Sequence, residues 1–551
     1  MIHIKIREVH SFYRKYVMKK YIKMKPVGGI LITLLTALPL YAQDNNEIVG
    51  QNTPAALERM KMQNLWLEHT SNAAGAILDN TVRYSTVSLG YDIGNGTFRR
   101  PQEGKRVNSL DFKTEGGGIY EGLHGMYVWG SFSYSRYKVH KAEYNASLID
   151  PLRGMPFIIA DTNRSNWVNQ DYNLEMQMTT PLLWNRVIIG ITGRYQNAVG
   201  AKQLDPRPLV RLSQFTVIPS VIVKFDKHAL GLNFDYYSRR EDGSAGNSNN
   251  RRDQQVWELR GLGFHSEGVI GGVGGVEGLR NCNANNLGGG IQYSYFSGQV
   301  RFLLAGNYDY KVEDVTNNYT RPKMVGTVKD QIITGKLALE IKNKKENSFF
   351  TDFGYTDRSI DGIEYVQEYD NTYEVQEWIT KFKSIRSNFS TKDWRLNFDY
   401  LVSRENEYKW KLGMTALYHQ LADIYYLPGS KQDIDNFYVN IHAKRNFDLG
   451  KKNKLLVGLD LGLNENLDSE ISYTGPDQDS RIIQDFLYRD YAYLSSEYWE
   501  GGLSFIYSNG SLMKEKANLF VSAVLNYKDV IKDSPWFGQR VVCSFSVGLN
   551  F

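Results

Sequence analysis

Apolar and polar residues alternate in runs of about ten positions along most of this chain. In the clearest run, Leu455, Val457, Leu459, Leu461 and Leu463 fall on one face, and Gly458, Asp460, Gly462 and Asn464 on the other. The same period of two recurs over residues 187–194, 230–237, 411–419 and 518–526. Successive side chains of an extended strand point to opposite faces, so each run predicts a strand with one apolar and one polar surface. Asp, Asn, Arg or Lys stands on the polar face each time, which suits a wet interior. The last run places Cys543, Phe545, Val547, Leu549 and Phe551 opposite Ser544, Ser546, Gly548 and Asn550. Such a strand would be an open sheet edge in a soluble domain, whereas pairing with the first strand of a closed barrel removes the edge.

The links between runs alternate in length. Short ones lie at Glu121-Gly122, 181–185, Asp226-Lys227, Ser297-Gly298, 343–347, 404–407 and 450–453, with a slightly longer one at 509–516. Long polar links lie between them at 94–106, 139–166, 200–210, 241–284, 314–328, 361–390, 426–433, 466–487 and 529–537. Long links that always fall at the same end are the outer-membrane pattern of short periplasmic turns and long extracellular loops. Nine hairpin pairs predict an all-β fold: a transmembrane antiparallel β-barrel of about 18 strands, with 14 or 16 left open. An even count puts both termini in the periplasm. Residues 373–390 are assigned to an outer loop or to strand extension above the membrane, because one further strand would break the parity.

The N-terminal part follows a different pattern. Lys19, Lys20, Lys23 and Lys25 precede an apolar stretch from Gly28 to Leu40, and Leu40-Tyr41-Ala42 ends it. This predicts a signal peptide over residues 1–42, cut before Gln43, with Met18 as an alternative start. The stretch is short for a membrane-spanning helix. Residues 43–81 then form a periplasmic lead, and 82–551 the barrel. Asn52 and Thr53 can cap a helix with Pro54 in its first position. Leu57, Met60, Leu65 and Trp66 would give that helix an apolar side. Leu57, Trp66, Asn72 and Gly75 are the candidate plug residues. The predicted lumen-facing residues are Arg194, Asn233, Asp235, His419, Asp460 and Asn464.

Charge changes the picture once the leader is set aside. Residues 1–42 hold eight of the 65 Lys and Arg residues and one of the 60 Asp and Glu residues, leaving a net charge of −2. That gives no case for a nucleic-acid partner. The 37 Tyr, 25 Phe and 10 Trp against only 14 Pro suit long strands and aromatic girdles. Cys282 in a Gly- and Asn-rich link and Cys543 in the last strand are read as free thiols. No metal cluster, phosphate loop or hydrolase motif occurs, so neither cofactor nor enzymatic activity is expected. The run Gly271-Gly272-Val273-Gly274-Gly275 reads as a surface loop rather than a nucleotide site. His419 shares a face with Asp423, but no nucleophile accompanies them. Tyr425, Tyr426, Tyr473, Phe486 and Tyr488 could stack on a ligand or pack the loops.

The closing strand resembles the C-terminal assembly signal of bacterial outer-membrane barrels, carried by Phe545, Val547, Leu549 and Phe551, with Ser546 where that pattern prefers Gly. Leu65-Trp66-Leu67, Ser71-Asn72-Ala73-Ala74-Gly75, the strand Tyr84 to Tyr91 and the closing strand together resemble an uncharacterised outer-membrane barrel family of Bacteroidota. The small-residue segment at 71–75 is distantly similar to the N-terminal hatch of long-chain fatty-acid transporters. These resemblances imply a Gram-negative outer-membrane location, with membrane lipid and the barrel assembly machinery as partners, but no settled activity. The expected function is a conduit or uptake component for a small or hydrophobic solute, gated by the lead and loops. The alternative is a non-catalytic accessory of a secretion or TonB-linked uptake machine, partnered by another outer-membrane receptor or a lipoprotein. The 39 residues between Gln43 and the first strand are too few for the globular plug of an energised receptor.

Overall fold

The computed structural model describes residues 52–249, 252–270, 276–318, 321–372, 376–450, 452–512, 516–532 and 534–551. The leader over 1–42 and the glycine run at 271–275 lie outside them. The chain opens with α1 (Pro54–Gln63), α2 (Leu65–His69), a single 3-10 turn at Ala73–Gly75 and α3 (Ala76–Asp79). Strands follow in the order β1 (Tyr84–Gly96), β2 (Arg106–Tyr120), β3 (Met126–Ala142), β4 (Ile159–Ala160), β5 (Ser165–Thr179), β6 (Val187–Lys202), β7 (Leu209–Phe225) and β8 (His228–Ser244). Next come β9 (Gln254–Gly261), β10 (Phe264–Ile270), β11 (Leu279–Phe296), β12 (Val300–Asn317), β13 (Lys323–Lys342), β14 (Ser348–Asp370), β15 (Glu377–Arg404) and β16 (Glu407–Tyr425). The chain ends with β17 (Ser430–Gly450), β18 (Asn453–Ser472), α4 (Tyr488–Leu494), β19 (Tyr498–Leu512), β20 (Ala517–Val530) and β21 (Arg540–Asn550).

Eighteen of these strands form one antiparallel sheet, and β4, β9 and β10 a separate small one. Each barrel strand pairs with its neighbours in the sequence, and β21 closes the ring on β1, with Phe545 opposite Tyr91 and Val547 opposite Leu89. Closure satisfies every ladder without leaving an edge, the condition for a sheet in hydrocarbon. The closed sheet fixes the strand number at 18 rather than 14 or 16. The longest links, after β3, β8 and β18, share one end, but the expected long links 314–328 and 426–433 are short there, because β12, β13, β16 and β17 extend through most of them. The barrel's first and last residues meet at the short-link end, where the Phe551 N–H donates to the Ser85 carbonyl at 2.8 Å.

The wall shows the alternation directly. On β18, Leu459, Leu461 and Leu463 are 46%, 55% and 50% exposed on the outside, while Leu456 and Asn464 are buried on the inside. On β8, Leu230, Leu232 and Phe234 are exposed and Ala229, Asn233 and Asp235 buried. An outer surface of exposed Leu, Ile, Val and aromatic side chains has no place in water and matches a lipid-facing band. No helix among the described residues is long and apolar enough to cross a membrane. In the closing strand Phe545 and Val547 point outward, while Ser546 faces in and shares a 2.6 Å hydrogen bond with Ser522 of β20. That bond gives a serine a reason to stand at the position where glycine was expected.

Three expectations need correction. The stretch 241–284 is not all loop: β8 runs on to Ser244, the hairpin β9–β10 lies within it, and β11 starts at Leu279. Cys282 therefore sits buried on β11 rather than in a link, because strands here continue above the lipid band. The link 361–390 is mostly strand extension, with Asp370 of β14 still paired to Glu377 of β15.

Candidate functional site

Both mouths of the barrel are filled from within, in different ways. At the short-link end the lead folds inward. Thr53 caps α1, its hydroxyl accepting the Ala56 N–H at 3.3 Å, with Pro54 in the first turn. Leu65, Trp66 and Ala74 are buried together with Ile188, Ile222, Ala229, Leu303 and Ala338 from the inner faces of β6, β7, β8, β12 and β13. The lead is thus inside the barrel and not at the membrane interface.

Its attachments are mostly polar, since it meets a polar wall. Glu58 of α1 accepts from the Tyr408 hydroxyl at 2.6 Å, from Lys411 at 3.2 Å and from Lys444 at 2.8 Å. Burial opposes the Glu58 charge, but Lys444 and Lys411 and the hydrogen bonds from Lys444 and Tyr408 outweigh it and hold the carboxyl at about 2. Arg59 donates to the carbonyls of Glu405 at 2.5 Å and Glu407 at 2.9 Å. Thr53 donates to the Glu407 carboxylate, which also takes Lys454 at 2.6 Å and Asn446 at 2.9 Å. Lys61 pairs with Glu115 of β2. Asp79 at the end of α3 turns back to accept the Leu67 N–H at 3.0 Å and meets Arg301 of β12 at 3.0 Å.

The four candidate plug residues fall in this region with distinct contacts. Trp66 is 3% exposed. Gly75 lies against it so closely that any side chain there would strike the indole. Asn72 caps the 3-10 turn through the Ala74 N–H at 3.1 Å, and its amide donates to the Gln292 side chain at 2.9 Å and the Leu232 carbonyl at 3.2 Å. Gly190 of β6 leaves room for the backbone of Ala74. Leu57 is half-buried and borders a cavity of about 520 Å³ between α1–α2 and the wall. The apolar side expected from Leu57 and Met60 is not the buried face of α1; that face is Ala55, Ala56 and Arg59. A helix inside a hydrated barrel is held by ion pairs as much as by apolar packing, so apolar spacing alone misplaced it.

The predicted lumen residues Arg194, Asn233, Asp235, His419, Asp460 and Asn464 all lie on the face opposite the exposed apolar rows. Arg194 pairs with Glu175 at 3.1 Å. Asn233 donates to Asp235 at 2.9 Å and accepts from Gln292 at 2.5 Å, so Gln292 joins the lead's Asn72 to the wall. Asn464 donates to the Ser496 carbonyl at 3.1 Å. His419 lies beside Asp393 of the paired strand, at 2.6 Å, and not beside Asp423; cross-strand register outranks same-face spacing here.

At the long-link end, a miniature domain with its own core fills the mouth. Leu148, Phe157 and Ile158 of the link after β3 meet Trp257, Leu259 and Phe264 of the β9–β10 hairpin and Ile482 and Ile483 before α4. They pack on the inward side chains Cys282, Val315, Val328 and Ile360 of the wall. Phe264 stacks on Tyr425 with ring centroids 3.7 Å apart, and Tyr473 joins them, so these aromatics build the stopper. Arg153 reaches into the barrel, makes two hydrogen bonds to Glu313 at 2.7 and 2.8 Å, and lies 3.3 Å from Glu241. Arg100 makes a similar two-bond contact with Asp490 of α4 at 2.6 and 2.8 Å. Arg153 and the lead's charged anchors Glu58, Arg59 and Asp79 escaped the sequence reading. The clue to the second group was the run of charges Glu58, Arg59 and Lys61 on a short helix expected to plug a polar mouth. Among the described residues no group of His, Cys, Asp and Glu is placed to hold a metal ion.

Residues 73–551 match a family of unknown function, DUF6850. The chain belongs to that family. No curated protein matches the sequence. Among solved structures it is similar to the ferric preacinetobactin receptor BauA from Acinetobacter baumannii, at 8% identity, covering 85% of this chain and 80% of that one with a TM-score of 0.41. It is also similar to the siderophore receptor PiuA from Acinetobacter baumannii, at 9% identity, 85% and 82% coverage and a TM-score of 0.40. A third similar structure is the outer membrane transporter YddB from Escherichia coli, at 7% identity, 85% and 80% coverage and a TM-score of 0.37. At such identity and scores, what those proteins carry says nothing about what this chain carries.

Proposed function

We propose that this protein is a Gram-negative outer-membrane barrel, both termini periplasmic, that acts as a non-catalytic conduit for a small or hydrophobic solute. The observation that carries the reading is the lead: a short folded segment seated inside the short-link mouth, beside a cavity of about 520 Å³, and held by replaceable polar contacts. Displacing such a segment breaks a few ion pairs and two small apolar clusters and leaves all 18 strand ladders intact. The lumen-facing Asn, Asp and Arg side chains provide a wet path behind it. Membrane lipid covers the outer face, and the closing strand is the handle for barrel assembly. The test is solute entry into liposomes holding either residues 43–551 or a chain starting at Thr81. Faster entry of small solutes through the shorter chain supports the conduit; equal exclusion by both contradicts it.

A second reading is favoured by the outer stopper. A mouth filled by a packed hydrophobic core fits a closed accessory barrel of a secretion or TonB-linked uptake machine, with a receptor or lipoprotein as partner. Crosslinking in intact cells separates the two: a stoichiometric envelope partner together with a barrel that excludes solutes after lead removal selects the accessory.

A further inference from the structure

We infer that the cavity beside the lead binds a small amphipathic cation, a protonated amine on an apolar body. This rests on the conduit reading and adds the class of solute. The volume of about 520 Å³ is within the range of small-molecule sites. Leu57, Leu65, Phe350, Ile506 and Phe520 give it an apolar side. Five carboxylates line it, Glu58, Glu68, Glu115, Asp352 and Asp399, against two lysines, Lys61 and Lys411.

Most of these charges are already matched. Glu58 holds Lys411 and Lys444, Glu115 holds Lys61, and Asp399 meets His442 at 2.7 Å and Lys411 at 3.6 Å. Two are not. The exposed Glu68 has no hydrogen bond or ion pair among the described residues, and Asp352 accepts a single side-chain hydrogen bond, from Asn397 at 2.7 Å. Partial desolvation inside the mouth pushes the Glu68 carboxyl above the usual range; Lys61 and Lys336 act against that from a distance, and neither forms an ion pair with it. His69 also borders the cavity, and burial pushes its imidazole below the usual range, so it adds no positive charge at neutral pH. An ammonium group entering here meets two unmatched carboxylates, while its apolar body packs on the phenyl rings. A carboxylate ligand of the same size meets uncompensated like charge.

The experiment titrates residues 43–551 in lipid nanodiscs with phenethylammonium and with 3-phenylpropanoate, two probes of similar shape and opposite charge, followed by calorimetry. The ammonium probe is expected to bind about tenfold or more tightly than the carboxylate. E68Q/D352N is expected to lower ammonium affinity about tenfold, with the lead still protected from protease, since neither side chain anchors it. Leu57→Trp, which fills the cavity, abolishes binding of both probes. Equal binding of the two probes, tighter binding of the carboxylate, or an E68Q/D352N variant that binds like the wild type overturns the inference. A barrel that passes solutes but shows no charge preference loses this site and keeps the conduit. A barrel that binds the ammonium and passes nothing keeps the site and loses the conduit.

Discussion

The two mouths of this barrel are filled by unlike means, and the difference bears on the proposed conduit. The outer stopper is built from links that return to the wall at both ends, with a shared hydrophobic core and the Arg153 and Arg100 clamps. Opening it exposes that core and leaves buried charges unpaired. The inner stopper is a short run of helices that, among the described residues, continues into a wall strand at its C-terminal end. Its hold combines two small clusters, one around Trp66 and one joining Ala55 and Met62 of α1 to Phe350, Leu401, Tyr408 and Leu456, with a series of polar contacts to β2, β11, β12, β16 and β17. Regions with few buried apolar contacts and many polar attachments are the low-stability end of a structure. On the proposed conduit reading, this comparison favours the lead as the gate that moves and the outer stopper as the fixture that stays.

The largest expected effect breaks the fixture. Arg153→Ala takes the two-bond partner from buried Glu313 and a neighbour from buried Glu241, leaving them the cations Lys311 at 3.5 Å and Arg239 at 3.1 Å. It should cost about 3–5 kcal/mol, seen as an earlier transition in thermal unfolding. An unchanged transition would mean that the outer links are as loosely held as the lead. Trp66→Ala removes the centre of the inner cluster at about 3–5 kcal/mol, but on the lead alone. Limited proteolysis should then cut within 52–81 while the barrel stays folded; loss of the whole barrel would make the lead part of the wall. For the wall itself, Leu459→Arg places a charge in the lipid band and should cost about 2–4 kcal/mol in assembly, with Asp460→Asn close to neutral. Equal assembly of the two reverses inside and outside.

Much of this was legible in the sequence. Period-two alternation located the strands, and the alternation of short and long links gave their pairing, their number and the end at which the termini lie. Asn72 and Gly75 were picked out only through the distant resemblance of 71–75 to a small-residue hatch, and not from any packing requirement. The outer stopper was not legible, because Leu148, Phe157, Trp257 and Ile483 come from separate links with no common period. The hairpin β9–β10 was hidden in a stretch read by its glycines and asparagines. Glu58 and Arg59 find their partners hundreds of residues away, on β16 and β17 and in the turn before β16, and His419 finds Asp393 only through register. Such contacts are set by closure of the ring, which single-strand patterns do not encode.

The smallest effect is a pH dependence of the gate. The Glu58 carboxyl lies at about 2 in the folded lead, against an ordinary carboxylate value of about 4.5 when unfolded. A depressed folded value means that its stabilisation is complete above the unfolded value and lost as pH falls through the folded one. The Glu58 contribution to protection of the lead from protease should therefore be constant from neutral pH to about 4.5 and decline toward about 2. It is read as the difference between wild type and Glu58→Gln, because Asp79, Glu68 and His69 of the same segment titrate at higher pH. Glu58→Gln should weaken the lead by about 1.5–3 kcal/mol and flatten the decline. A decline of the same size in Glu58→Gln would assign it to another carboxylate.

Single-channel conductance in planar bilayers tests the central claim most directly, comparing residues 43–551 with a chain that starts at Thr81. The account predicts a quiet full-length barrel, with openings that become frequent and long once the lead is gone. A barrel that stays closed without its lead, or one that conducts equally with it, would contradict the lead as the gate.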